Sequence, residues 1–92
     1  MAKIIELKIL PNYYEAVKKG EKTFELRLND RNYEVGDILI LKEYDGSQFT
    51  GRSVTVIITY ILQDCGFGLA DGYAILSIKL MGGGRKSVKA NL

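Results

Sequence analysis

Lys22, Glu25 and Arg27 hold the chemistry most plainly written in this chain, within the run Gly20-Glu21-Lys22-Thr23-Phe24-Glu25-Leu26-Arg27. A guanidinium is a planar, permanently charged fork that fits a phosphate or the edge of a base. A carboxylate accepts from an exocyclic amine such as that of cytosine, and a lysine meets phosphate as a point charge. Read this way, the three residues recognise a nucleotide, with the hydroxyl of Thr23 beside them. Two other readings use the same atoms. A desolvated Lys22 and Arg27 can activate a nucleophile while Glu25 shuttles a proton, or Glu25 can neutralise both cations in a structural network beneath a neighbouring helix.

The elements that must position these groups follow from periodicity. Phe24, Leu26 and Leu28 alternate with Thr23, Glu25 and Arg27, and side chains on a strand alternate between faces. A strand over 23–28 is expected, with Phe24 and Leu26 in the core. Thr23, Glu25 and Arg27 then share the other face, successive ones roughly 6.5–7 Å apart. Upstream, residues 3–9 form a first strand with Ile5, Leu7 and Ile9 on one face and Glu6 and Lys8 on the other. Pro11 suits the first turn of a helix, expected over 12–19, with Tyr13, Ala16 and Val17 as its buried stripe. Lys18 and Lys19 favour the negative end of that helix, and Gly20 is a natural residue just beyond it.

Downstream, Asn29-Asp30-Arg31-Asn32 is a polar turn cluster, where Arg31 is expected to brace Asp30 or Asp37. Val35-Gly36-Asp37 reads as a tight turn into a fully buried strand over 38–44. Asp45-Gly46 marks the tip of a hairpin, followed by a long strand over 53–62, a glycine-rich loop holding Cys65, and a closing strand over 73–80. One helix and five to six strands, without βαβ spacing, give an α+β domain: a small, mostly antiparallel barrel with the helix packed beside it. The domain runs over 1–81. Gly82-Gly83-Gly84 and the basic remainder, 82–92, are expected to form a flexible tail.

Composition narrows the function. The chain contains no histidine and one cysteine, so a zinc or haem ligand set, a histidine-based triad and an internal disulfide are not expected; neither a metal nor a cofactor is. No segment is long and apolar enough for a membrane span or a signal peptide, and a cytoplasmic protein is expected. Net charge is +2, but Arg85, Lys86 and Lys89 lie in the last twelve residues, leaving ten basic and eleven acidic residues in 1–80. A broad basic surface for nucleic acid is therefore not expected; contact would be made in a local cleft.

Gly20, Lys22, Glu25 and Arg27 match Gly-x-Lys-x-x-Glu-x-Arg, and in this the chain resembles the ASCH domains of the PUA-like superfamily. Glu6-Leu7-Lys8-Ile9-Leu10-Pro11, Asn29-Asp30-Arg31, Val35-Gly36-Asp37-Ile38-Leu39, Tyr44, Thr50-Gly51-Arg52 and Asp71-Gly72-Tyr73 extend the resemblance to the DUF3850 branch, a group of small proteins common in phages and prophages. The resemblance covers about residues 3–80. It implies a PUA-like β-barrel with a cleft beside the helix, lined by the signature residues Lys22, Glu25 and Arg27, and it implies RNA or a nucleotide as partner. Thr23 is a further candidate for ligand binding, and Glu6, Tyr14, Arg31 and Tyr33 are candidates for the lining, the two tyrosines alternatively capping apolar edges. One departure is Ile5, where members of this branch usually carry His. Another ASCH branch hydrolyses N4-acylated cytidines with a lysine, a threonine and a distant glutamate. Lys22 matches the lysine, but Glu25 stands in the threonine position, so that triad is not carried over. An amidohydrolase remains the alternative, and a phage accessory protein binding a host protein through a strand edge the second alternative.

Overall fold

The computed structural model describes residues 2–81; the expected tail at 82–92 lies outside them. Five strands and one helix follow one another along the chain: β1 (Ile4–Ile9), α1 (Pro11–Lys18), β2 (Phe24–Leu28), β3 (Ile38–Tyr44), β4 (Phe49–Gln63) and β5 (Tyr73–Leu80). They build one sheet in the order β1-β3-β4-β5-β2. Three pairings are antiparallel, but β1 runs parallel to β3, with Ile4 opposite Ile38 and Ile9 opposite Glu43. The sheet is thus mixed but mostly antiparallel, as expected, and it curls into a half-barrel where a barrel was expected. The parallel pairing arises because the chain leaves β1 through α1 and β2 before returning to β1 with β3, a long-range choice invisible to local periodicity.

Bulges in the β3–β4 and β4–β5 ladders, at Lys42/Tyr44 and Ile58/Tyr60, add local twist and help the sheet curl. Its concave side holds the core: Ile5, Leu7 and Ile9 from β1, Leu39 and Leu41 from β3, Val56 and Ile58 from β4, and Ala74, Leu76 and Ile78 from β5. Strand β3 alternates buried and half-buried residues, so it is not buried on both faces as Val35-Gly36-Asp37 had suggested. Strand β4 begins at Phe49, four residues earlier than expected, because the Asp45–Gln48 turn is tight and pairing resumes with Tyr44 opposite Phe49.

The turn into β3 is fixed by a buried carboxylate. Gly36 adopts φ +96°, a left-handed conformation that glycine enters without strain. Asp37, fully buried, accepts from the backbone N–H of Lys3 and of Glu34 at 2.8 Å each and meets Lys3 Nζ at 3.0 Å. Burial pushes its carboxyl up, but these bonds outweigh burial and hold it below its ordinary value. Together with the bond from Ile38 N–H to Lys3 O, 2.8 Å, they lock the start of β3 to the start of β1. Arg31 therefore reaches Asp30, at 3.8 Å, and not Asp37.

Helix α1 opens with Pro11 and packs Tyr14 and Val17 onto β3 and β4. Val17 is buried as expected and Ala16 half-buried, but the tyrosine of the stripe is Tyr14 and not Tyr13: Tyr14 is 3% exposed and Tyr13 48%. The helix starts at Pro11, directly after β1, and that junction fixes which tyrosine turns under.

Candidate site at the sheet seam

Strand β2 has the opposite phase from the one its apolar residues imply. Glu25 is 4% exposed, while Phe24, Leu26 and Leu28 stand 47%, 55% and 49% exposed. Glu25 and half-buried Arg27 point into the concave side, and the apolar residues point out. The reason is local neutralisation. Glu25 Oε1 accepts from Lys22 Nζ and Glu25 Oε2 accepts from Arg27 Nε at 2.9 Å. A buried carboxylate with both oxygens bonded to cations escapes most of the penalty of leaving water.

Each cation is also held by backbone. The chain after α1 is cinched by bonds from Gly20 N–H to Val17 O and from Glu21 and Lys22 N–H to Ala16 O, all 2.9–3.0 Å. This delivers Lys22 to the mouth of β2, where Nζ donates to Phe24 O at 2.7 Å and lies 4.9 and 5.5 Å from the ring centres of Phe24 and Tyr13. Arg27 Nη2 donates to Lys8 O on β1. β1 and β2 are the two outer strands of the sheet, so this guanidinium bridges the open seam of the half-barrel.

Two depressions adjoin along that seam. One, of about 440 Å³, is lined by Lys8, Ile9, Leu10, Tyr13, Lys22, Phe24, Glu25 and Leu26. The other, of about 350 Å³, is lined by Glu6, Leu7, Lys8, Arg27, Arg31, Lys42 and Phe49. Five cations therefore face the seam against two carboxylates, one of which is consumed by Lys22 and Arg27. Donors remain to be used. Arg27 has five N–H groups, of which one meets Glu25 and one Lys8 O. What the seam offers a ligand is cationic donors framed by aromatic rings.

The structure distributes the expected residues unevenly. Lys22, Glu25 and Arg27 converge, at the seam between β1 and β2; the helix adds Tyr13 and does not cover them. Glu6 is on the outer side of β1, 3.4 Å from Lys42, and Arg31 lines the same depression. Tyr33 is buried; burial raises its phenol above the ordinary value, opposed by Arg27 and Arg31. Thr23 is exposed, and its backbone oxygen, accepting from Ile78 N–H at 3.0 Å, holds the start of β2 to β5. Tyr14 does not reach the cluster: it lies under Arg52, 4.6 Å from the guanidinium carbon, and faces a separate depression with Lys18, Ser53 and Thr55.

A second charged cluster was missed. Glu43, 2% exposed, takes both Nε and Nη2 of Arg52 at 2.8 Å and the Thr50 hydroxyl at 2.6 Å. Arg52 also meets Glu15 on α1 at 3.1 Å. The bonds from Arg52 and Thr50 hold the Glu43 carboxyl below its ordinary value, and Glu43 in turn raises Arg52. The signal was present: Leu39, Leu41 and Glu43 share the parity of the inward face of β3. This cluster ties the helix to the sheet. Since Glu43 is opposite Ile9 while Arg27 reaches Lys8, the two buried carboxylates, each with its more exposed arginine, flank the end of β1 where α1 begins.

Among the described residues no group of three or more potential metal-ligating side chains is present, and no helix is long and apolar enough to cross a membrane. Comparison with known proteins finds a match over residues 4–78 to the family described as DUF3850, a domain of unknown function. The chain is also similar to an uncharacterised 12.9 kDa protein in the GpA 3′ region of Escherichia phage P2, 51% identical over 59 residues. The similarity covers 64% of this chain and 54% of the phage protein, so the chain matches about half of that relative's length.

Proposed function

From the premise that the chain belongs to the DUF3850 family, we propose that its β1–β2 seam binds single-stranded RNA or a nucleotide, as the ASCH and PUA-like resemblance implies. The observation that carries this is the concentration of charge. Lys8, Lys22, Arg27, Arg31 and Lys42 line the seam, five of the ten cations in residues 2–81, beside Tyr13, Phe24 and Phe49. A cationic groove with aromatic rings is the arrangement that takes single strands, the cations meeting phosphates and the rings stacking bases. Arg27 and Lys22 are the directed donors. Glu25 holds them in place instead of reading a base amine, because both its oxygens are already bonded.

The test is fluorescence anisotropy with short labelled RNAs, and competition by nucleotides and nucleosides, at low salt. Arg27→Ala should weaken binding by about 2–4 kcal/mol, as expected for a desolvated charge-assisted contact, with the circular-dichroism spectrum retained. Absence of binding by the wild type at low salt would overturn the proposal. If instead the wild type releases acetate from N4-acetylcytidine and Lys22→Ala does not, the seam is an amidohydrolase site.

A further inference from the structure

The two depressions along the seam differ in chemistry. The one of about 440 Å³ is walled by Ile9, Leu10, Tyr13, Phe24 and Leu26, and its Lys22 and Glu25 are bonded to each other. Tyr13 and Phe24 are about half exposed, so ring surface remains for a base. The one of about 350 Å³ sets Lys8, Arg27, Arg31 and Lys42 against Glu6. Phe49 is the ring in that lining, and it is already engaged by Lys42 at 5.0 Å and by the edge of Tyr44 at 5.2 Å. Lys8 lines both depressions, and Arg27 crosses the seam to its carbonyl oxygen. The seam thus has an aromatic compartment whose acid and lysine cancel, and beside it a cationic one.

On the reading that the seam binds RNA or a nucleotide, we propose that it takes a nucleotide unit bearing a terminal phosphate. The base occupies the aromatic compartment and the phosphomonoester the cationic one. Charge matching decides for a terminal phosphate. Four cations against Glu6, with Glu25 set wholly against Arg27, leave two positive charges in the cationic compartment. A phosphomonoester carries about −1.5 to −2 near neutral pH, whereas an internal phosphodiester carries a single charge. The monoester cancels the excess; a diester leaves one cation without a counter-charge. The donors are available. Three of the five N–H groups of Arg27 bond neither Glu25 nor Lys8 O. Lys42 meets Glu6 at 3.4 Å, and Arg31 meets Asp30, which does not line the compartment, at 3.8 Å. Such exposed pairs are worth little, and a phosphate oxygen offers the stronger charge-assisted bond.

The test is competition against a short labelled RNA on the full chain. One strand of about six nucleotides competes in three forms: with a 5′-phosphate, with a 3′-phosphate, and with hydroxyls at both ends. A nucleoside and its 5′-monophosphate compete beside it. At least one phosphorylated form should bind at least about tenfold more tightly than its bare counterpart. A gain for a strand end assigns the site to RNA termini and names the end; a gain for the monophosphate alone assigns it to free nucleotides. Arg31→Ala and Lys42→Ala, both at exposed side chains, should each cut the gain to about threefold or less with the circular-dichroism spectrum retained; if one fails to fold, the other decides. Binding of RNA with no gain from any phosphate leaves seam binding standing and overturns this proposal, as does a gain that survives in the folded variants. No binding of any form overturns both.

Discussion

At the scale of single residues, Glu25 governs the candidate site. It is the buried acid that makes two cations affordable inside a small sheet, and it spends both oxygens doing so. Glu25→Ala should therefore destabilise the fold by about 3–5 kcal/mol, because Lys22 and Arg27 would be left partly buried without their counter-charge; chemical denaturation measures this. Acid should act elsewhere as well. Asp37 and Glu43 both have carboxyls held below their ordinary values. Such groups contribute stability that is complete above the ordinary carboxylate range, near pH 4, and is lost as pH falls through the lowered values. Thermal melts should hold from neutral pH to about 5 and drop steeply below about 4, and Glu43→Gln should flatten part of that drop.

At the scale of elements, much was legible in the sequence. The helix and all five strands fall near their expected residues, since alternation and the Pro11 and Gly20 signals are local. The inward residues of β1 were read correctly for the same reason. The phase of β2 was not, because alternation separates two faces without saying which is inside, and here mutual neutralisation lets the charged face turn in. Tyr13 and Tyr14 differ by one helical step, and only the junction with β1 selects between them. Their separation is testable. Tyr14→Ala should cost about 3–5 kcal/mol of stability, as for other large buried aromatics, while Tyr13→Ala should leave the melting curve nearly unchanged and weaken RNA binding through lost stacking. The pairing of Glu43 with Arg52 was half visible, in the parity of β3, but the partner came from the next strand and needed the register of the β3–β4 hairpin.

For the whole molecule, charge is nearly balanced yet unevenly placed. Residues 1–80 hold ten basic and eleven acidic groups, and the seam gathers five of the basic ones with two acids, a local excess of three. A single strand contacting about three phosphates there should give a log–log salt slope near −2, and Arg27→Ala should make it shallower by about 0.7. The most direct test of seam binding is a titration of the isotopically labelled full chain with a short single-stranded RNA, followed by amide chemical shifts. Shifts should concentrate at Lys8–Leu10, Tyr13 and Lys22–Leu28, on both sides of Arg27. Shifts centred instead on Lys18 and Ser53–Thr55, or none at low salt, would contradict it.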